Sequence, residues 1–292
     1  PGDHCVVSSM EHNAVMRPLY HLASTGQITL RVLTPDPMGI LQPHTLQSAI
    51  GPRTALVVLC HASNVTGVIQ PISRLGAICQ ENGVPLLVDA AQTAGVLDVS
   101  LHALNADMIA MPGHKGLLGP HGVGLLVLRR GVCPEPLVRG GTGSVSESME
   151  QPESLPDRYE SGTLPLPNIA GLLLGIRFVR AHLAEIREYE DALNRRLREG
   201  LEHIPGIRCL GHPDAPRVGI TSFVPRRMDG GALSDSLDQA GFALRGGLHC
   251  APAMHTWLGT LRSGALRASV GIYNTEEEVD ALVALVERFV QE

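Results

Sequence analysis

A lysine between glycines is the residue of this chain best suited to covalent chemistry. The segment Gly113–Gly116 reads Gly-His-Lys-Gly and follows a short apolar run, Met108–Met111. Glycines let the backbone approach a ligand closely, and burial lowers the pKa of a lysine and suits its amine to Schiff-base formation. An isolated lysine in a glycine turn is more often a solvated surface residue. The segment alone leaves both interpretations of Lys115 open.

A carboxylate at the end of another apolar run favours the catalytic interpretation. Asp89 directly follows Pro85–Val88, and an aspartate beside such a lysine is what a pyridinium nitrogen needs in order to stay protonated. The alternative role for Asp89 is the N-cap of a helix that begins at Ala90. Ligands of parallel α/β sheets bind at the carboxyl ends of the strands. We therefore expect Asp89 and Lys115 at the same edge of a sheet.

Cys250 is the cysteine whose neighbours favour reactivity. It lies in the loop-like segment Gly246–Pro252, next to His249 and near Arg245 and His255. Positive neighbours lower the pKa of a thiol and increase its thiolate fraction. The other five cysteines form no CxxC pair, so the sequence predicts neither a disulfide framework nor a metal site. We expect those five to be buried apolar residues in a reducing cytoplasm.

The elements that must position these residues alternate between short apolar runs and amphipathic windows. The window Ser73–Asn82 has helical spacing and ends at Gly83. Strands are predicted at Cys5–Ser8, Leu56–Cys60, Pro85–Val88, Met108–Met111 and Val123–Leu128. The start, Pro1–Asp3, is typical of a turn that leads into the first strand. This alternation predicts a mostly parallel sheet covered by helices.

The second half of the chain predicts a loop, a long helix and a smaller unit. Residues 139–168 are rich in Gly, Ser, Glu and Pro, which indicates a long loop, and a helix over Ile169–Gly200 follows. Further elements are predicted near Gly219–Val224, Gly231–Gln239 and Glu276–Gln291. We expect a large domain over residues 1–175 and a small domain over residues 176–292 that carries the cysteine loop.

Composition excludes several function classes. The 292 residues are 44% hydrophobic, which excludes wholesale disorder. The apolar runs fall short of the roughly 20 residues that a membrane helix needs. With 23 Lys and Arg against 29 Asp and Glu, the chain lacks the positive charge that nucleic acid or an anionic membrane attracts. These observations favour a soluble protein that acts on small molecules.

Seven motifs, taken together, resemble one enzyme family. Val88–Gln92 followed by Gly113–Lys115 resembles the class V aminotransferase family of pyridoxal-phosphate enzymes, and more closely its cysteine desulfurase and selenocysteine lyase branch. The same resemblance continues in five further segments, Ser9–Asn13, His61–Gly67, Tyr159–Thr163, Arg245–Cys250 and Leu266–Ser269. It implies the type I fold of these enzymes: a large domain around a mostly parallel, seven-stranded-type sheet flanked by helices, and a smaller α+β domain.

The resemblance implies a role for each matching cofactor residue. Lys115 would hold pyridoxal 5'-phosphate (PLP) as a Schiff base and move protons between the substrate and the cofactor. Asp89 would pair with the pyridine nitrogen. His12 would stack on the ring, Gln92 would hydrogen-bond the phenolic oxygen, and His114 would contact the phosphate. Thr163 would reach the phosphate bound by the other subunit, so that a homodimer would share its active sites.

The resemblance also implies a substrate and a sulfur transfer. Asn64, counted among the cofactor residues as well, and Arg267 would bind the substrate carboxylate, Arg267 as a bidentate fork. Cys250 would attack the sulfur of L-cysteine, which leaves a persulfide on the enzyme and releases L-alanine. L-Selenocysteine could be processed in the same way, and the sequence does not separate the two substrates. An acceptor protein for the sulfur or selenium is a candidate partner.

The chain departs from the family pattern at three places. Pro112 stands where the family often has Ser or Thr on the phosphate, and Leu164-Pro165 replaces the usual Pro-Asn after Thr163. An N-terminal stretch of the family, whose helix N-terminus cradles the phosphate, is expected to lie outside this chain. Two alternatives therefore stay open beside the desulfurase: another class V aminotransferase activity, in which Cys250 is dispensable, and a catalytically inactive PLP-fold fragment that acts as a scaffold.

Overall fold

The structure, a computed structural model, describes residues 3–291 and contains two β-sheets. The first sheet comprises β1 (His4–Ser8), β2 (Thr29–Leu33), β3 (Thr54–Cys60), β4 (Leu86–Asp89), β5 (Met108–Pro112) and β6 (Gly124–Leu128). The second comprises β7 (Ile207–Cys209), β8 (Ile220–Pro225), β9 (Arg245–Gly247) and β10 (Ala265–Ser269). The helices are α1 (Asn13–Ser24), α2 (Pro43–Gln47), α3 (Ile72–Glu81), α4 (Leu166–Glu202), α5 (Gly230–Gln239), α6 (Pro252–Trp257) and α7 (Glu276–Gln291). The turn predicted over Pro1–Asp3 lies mostly outside the described residues.

The first sheet is mostly parallel, as the sequence predicts. Its order is β2-β1-β3-β4-β5-β6, in which β1 to β5 are parallel and β6 is antiparallel to β5. Its interior strands are apolar runs, and Val57, Leu86 and Val88 are fully buried. Such continuous apolar runs are typical of parallel strands covered on both faces. The predicted mixed α/β fold class is confirmed.

The sheet has six strands within residues 3–291, one fewer than the seven-stranded type that the resemblance implied. Both edges of the sheet are half-exposed. At one edge lies β2, in which Thr29 and Arg31 are exposed, and at the other lies β6, in which Leu126 is exposed. The sequence analysis did not predict β2, because its mixed polar and apolar residues lack the continuous run that marks an interior strand.

Helix α4 contributes to the packing of both sheets. Its first half supplies Leu172 to the core beneath the first sheet, and its second half supplies Leu193 and Leu197 to the core of the second. A non-helical conformation at His182 separates the two halves. The helix begins at Leu166 rather than Ile169, and the predicted domain boundary at residues 175 and 176 lies within it. That boundary stays a prediction.

The remaining predicted elements form close to their predicted bounds. Helix α3 ends at Glu81 and is followed by Gly83 with φ 63°, and α7 has the predicted bounds. Residues 129–165, which include most of the predicted loop, contain no helix or strand. Within the described residues, no helix has both the length and the apolar character to cross a membrane.

Candidate active site

Two predicted residues meet at the carboxyl edge of the first sheet. Asp89 is the last residue of β4, and Lys115 lies in the turn directly after β5. Asp89 Oδ1 accepts a hydrogen bond from the Ala91 N–H at 2.9 Å. The residues after Asp89 form turns rather than a helix, so this bond caps a turn, and the helix expected at Ala90 does not form. Asp89 and Lys115 instead line a common cavity of about 830 Å³.

This cavity continues into a second one of about 770 Å³. We call the first the strand lobe, because the ends of β3, β4 and β5 line it through Cys60, Asp89 and Pro112. We call the second the loop lobe, because it contains Cys250 together with Arg267. Six residues line both lobes: His12, Asn64, Ala91, Gln92, His114 and Lys115. Lys115 therefore lies at the junction of the two lobes.

The environment of Lys115 favours a reactive amine. Burial in the cavity lowers the pKa of Lys115; the charge of Asp89 opposes this shift, and the charge of Arg267 reinforces it. A lower pKa increases the fraction of neutral amine, the nucleophilic form. Lys115 is also the only lysine of the sequence. A single lysine in 292 residues is itself a sequence signal that points to this position.

The turn that carries Lys115 is packed against helix α4. A Cβ at Gly119 would lie 2.7 Å from Leu172 Cδ1, and one at Gly175 would lie 2.3 Å from the carbonyl oxygen of Leu117. Backbone and side chain are therefore in direct contact here, with no room for larger residues at either glycine. This packing fixes the turn on the side away from the cavity.

His12 lies beside Lys115 as a neutral imidazole. Its Nδ1 accepts a hydrogen bond from the Ala14 N–H at 3.0 Å, which caps α1. Burial lowers the pKa of His12, and the nearby charge of Lys115 lowers it further. His114 stacks on His121 with ring centroids 4.7 Å apart. Both predicted imidazoles therefore border the cavity with fixed ring positions.

Arg267 and Asn64 leave polar atoms without partners in the loop lobe. Arg267 Nη1 donates to the backbone oxygen of Asn64 at 3.0 Å, whereas Arg267 Nε and Asn64 Oδ1 are buried without a hydrogen-bond partner. Burial lowers the pKa of Arg267. Buried polar groups of this kind need a partner, and a planar guanidinium suits a carboxylate. The lobe therefore fits a carboxylate ligand.

Cys250 is exposed in the loop lobe, on strained backbone. Cys250 and His249 have φ values of 57° and 50°, a region that non-glycine residues rarely adopt. The sequence analysis expected positive neighbours, but burial lowers the pKa of His249 to about 4 and also lowers that of His255. Both imidazoles are therefore neutral at pH 7. The predicted Arg245 lines the same lobe as Cys250, as does Arg267.

Thr163 is the predicted site residue that lines neither lobe. It is exposed in the segment that precedes α4. Its predicted role concerns a second subunit, so it stays a prediction. Among the other cysteines, Cys5, Cys60 and Cys79 are buried as expected, but Cys133 is exposed. No group of histidines, cysteines or acids among residues 3–291 has a metal-binding arrangement.

Two buried carboxyl groups were missed by the sequence analysis. Glu11 is fully buried, and burial raises its pKa to about 8. Its Oε1 accepts hydrogen bonds from Ser8 Oγ at 2.6 Å and from the Cys60 N–H at 2.8 Å, while Oε2 has no partner. Glu190 lines the loop lobe, and burial raises its pKa to about 7. Its spacing from Ile186 and Leu193 on the buried face of α4 is the signal that could have identified it.

A mostly parallel sheet that brings a lysine and an aspartate together at its strand ends, with a neutral imidazole beside them, defines a type I PLP-dependent protein. The family described as aminotransferase class-V matches residues 1–282. The chain belongs to this family, and the family depends on PLP.

Relatives and solved structures agree with this assignment. A probable cysteine desulfurase of Methanothermobacter thermautotrophicus is 36% identical over 288 residues, which cover 96% of this chain and 72% of that protein. A cysteine desulfurase of Salmonella typhimurium is 35% identical over 97% of this chain and 70% of its own length. The apo cysteine desulfurase of Thermococcus onnurineus matches with a TM-score of 0.88 at 31% identity, over 99% of this chain and 73% of that one. The cysteine desulfurase CsdA of Escherichia coli matches with a TM-score of 0.90 at 28% identity, over 100% of this chain and 73% of that one.

The residues present fit the ring end of PLP. Asp89 borders the strand lobe, where it would meet the pyridine nitrogen, and Lys115 lies at the junction, where it would meet the aldehyde. Asn64 has a buried oxygen without a partner and lines both lobes. At the phosphate end His114 is available, whereas Pro112 lines the lobe without a backbone N–H. The strand lobe is therefore suited to this cofactor, with one donor fewer at Pro112.

Proposed function

We propose that this protein is a PLP-dependent cysteine desulfurase or selenocysteine lyase that takes sulfur from L-cysteine, or selenium from L-selenocysteine, onto Cys250. The observation that carries the proposal is the loop lobe, in which Arg267 and Cys250 lie in one cavity with Lys115. The cysteine desulfurases among the relatives support it.

On the strand side, the chain binds the cofactor and handles protons. When bound, PLP supplies an electron sink for the bonds at the substrate Cα. Asp89 would pair with the pyridine nitrogen, because a carboxylate favours the protonated ring. The Lys115 amine would hold the cofactor, and its lowered pKa suits it to accept and return protons at the substrate. His12, held by its cap bond to α1, would cover the ring.

On the loop side, the chain orients the substrate and receives its sulfur. Arg267 and Asn64 hold the substrate carboxylate through N–H donors: the free Nε of the guanidinium, and the second N–H of the Asn64 amide, whose other N–H bonds to His249. The Cys250 thiolate attacks the substrate sulfur, so that a sulfur–sulfur bond forms while the Cβ–S bond breaks. The electron pair of the broken bond stays with the carbon fragment, which takes up a proton and leaves as alanine. Atoms and electrons balance without an external oxidant or reductant.

The proposal extends to the assembly. It includes a large domain over residues 1–175, a small domain over 176–292 and a cytoplasmic homodimer in which Thr163 serves the partner's site. Thr163 is exposed, as such a role requires. The exposed apolar side chains of Leu166, Leu173 and Leu174 on the first half of α4 also favour an interface there. A protein that accepts the sulfur from Cys250 completes the proposal.

The test compares Cys250→Ser with Cys133→Ser, which alters the other exposed cysteine. With PLP, L-cysteine and a thiol reductant, we expect Cys250→Ser to lose alanine and sulfide formation at least about a hundredfold, because the nucleophile is gone, while cofactor absorbance is retained. Cys133→Ser should match the unaltered protein. Unchanged alanine formation in Cys250→Ser would favour another class V activity. Absence of any PLP absorbance in the unaltered protein would favour an inactive scaffold.

A further inference from the structure

Two hydrogen bonds to consecutive carbonyl groups hold the loop that carries Cys250. Asn64 Nδ2 donates to the His249 oxygen at 2.6 Å, and the Asn13 N–H donates to the Cys250 oxygen at 2.7 Å. Both carbonyl groups belong to residues with positive φ, 50° at His249 and 57° at Cys250. Such conformations persist only where surrounding contacts enforce them. These two bonds therefore help to fix the backbone on which the thiol is mounted.

Asn64 is itself attached to Arg267. Arg267 Nη1 donates to the backbone oxygen of Asn64 at 3.0 Å, and both residues line the loop lobe. A continuous series of hydrogen bonds therefore runs from Arg267 in β10, through Asn64 after β3, to His249 in the loop before α6. It connects the carboxylate-binding guanidinium to the residue next to the nucleophile.

The same series carries the polar atoms left free for a ligand. Arg267 Nε is a buried donor without a partner. The amide of Asn64 has two N–H groups, and the His249 oxygen takes one of them. A carboxylate in the lobe would engage the other N–H together with the guanidinium. With both N–H groups engaged, the Asn64 side chain is restrained in the one rotamer that reaches the His249 oxygen, so such a ligand would keep Asn64 on His249.

We propose that Asn64 is a positioning residue for Cys250, through which binding of a substrate carboxylate at Arg267 restrains the loop that carries the thiol. Asn64 acts here through the His249 carbonyl group and not on the sulfur. The carboxylate-binding site at Arg267 rests on the proposed function. The restraint of the loop by Asn64 is independent of which reaction the enzyme performs.

The test measures amide hydrogen exchange of residues 246–252 in the PLP-saturated protein, with Cys133→Ser as the parent. Without ligand, we expect Asn64→Ala to speed exchange in this loop about three- to tenfold, the factor of one lost hydrogen bond. Asn64→Asp, which keeps the size but cannot donate, should have the same effect. If Asn64→Ala fails to fold, Asn64→Asp decides the result.

The matched control is Ser222→Ala. Ser222 Oγ donates to the Val65 oxygen at 2.5 Å, so this change removes a buried bond to the same segment without touching the loop. We expect its loop exchange to equal that of the parent. Equal exchange in the parent and both Asn64 variants would overturn the positioning role, and an equal increase in Ser222→Ala would do so as well, because the effect would then be general.

The coupling is tested with L-alanine, which carries the carboxylate but no thiol. At a concentration that saturates the change in cofactor absorbance, L-alanine should slow exchange of the loop in the parent about threefold or more, and should leave it unchanged in Asn64→Ala. No slowing in the saturated parent would overturn the coupling. If the parent does not desulfurate L-cysteine but Asn64→Ala still speeds exchange of the loop, only the proposed function is contradicted. The comparison of parent and Asn64→Ala without ligand uses no substrate.

Discussion

The two sides of the cavity position their reactive groups in different ways. On the strand side, Asp89 and Lys115 follow interior strands whose side chains, such as those of Val88 and Ile109, are fully buried. On the loop side, Cys250 is exposed on backbone with positive φ, held by a small number of hydrogen bonds. A group that must stay fixed on a cofactor belongs on a rigid strand end, and a group that must receive and deliver an atom belongs on a loop.

The strand side can be broken most completely by Lys115→Ala. We expect alanine formation from L-cysteine to fall at least about a thousandfold, because the variant lacks both the attachment amine and the proton carrier. Borohydride reduction and peptide mass mapping check the result. Since the sequence contains no other lysine, the label has no other side-chain amine to occupy. A reducible PLP adduct that persists in Lys115→Ala would contradict the assignment.

Glu11→Gln sharpens the comparison, because a fully buried carboxyl group belongs to the strand side. Burial raises the pKa of Glu11 from 4.5 to about 8, so the folded chain keeps a proton that the unfolded chain releases. The stabilising contribution of the Glu11 proton is therefore fully present below pH 4.5. It is lost as the pH rises to 8, which lowers the free energy of unfolding by on the order of 5 kcal/mol for a shift of this size. Glu11→Gln should lack this loss.

Denaturant unfolding at several pH values measures this difference. The control is Glu81→Gln, which removes an exposed carboxyl group at the end of α3 and should follow the unaltered protein. Each variant is compared with the unaltered protein at the same pH. The effect of His61 and His249 titration on the free energy of unfolding is therefore the same in both and cancels from the difference. A pH dependence of Glu11→Gln that parallels the unaltered protein would show that Glu11 does not retain its proton.

Gly95→Ala tests the rigidity of the strand side with a smaller effect. A Cβ at Gly95 would lie 2.0 Å from the Gly116 oxygen, and Gly95 has φ 91°. We expect a loss of about 3 kcal/mol or more in the free energy of unfolding, from overlap and strain together. Gly83→Ala, with φ 63° and open space around it, should lose only about 1 kcal/mol. Equal losses would mean that the turns after β4 and β5 can move apart.

The sequence predicted the strand side better than the loop side, for a physical reason. Interior parallel strands are continuous apolar runs, so the ends that carry Asp89 and Lys115 could be located from the residues alone. The edge strand β2 lacks such a run and was missed. Thr163 cannot be assessed from one chain, because its predicted role needs a second.

Properties that depend on tertiary burial could not be predicted. The expectation that His249 and His255 carry positive charge holds only if both are exposed to solvent. The fold buries both and keeps them neutral. Glu11 stands beside His12 in the sequence, but its raised pKa comes from complete burial and from the neighbouring charge of Asp89. Neither can be recognised from the sequence. The bonds of Asn64 and Asn13 to the cysteine loop join residues far apart in the chain, and no local pattern indicates them.

The contact between α4 and the lysine turn has a consequence for biosynthesis. All six strands of the first sheet precede residue 129, but Leu172 and Gly175, which pack against the turn around Gly119 and Leu117, are synthesised later. While the ribosome adds residues 129–165, the sheet can form and the turn can contact Gly95, yet its contact with α4 is missing. Domains fold as their residues emerge, so the amine of Lys115 reaches its final position only after the first half of α4 has left the ribosome.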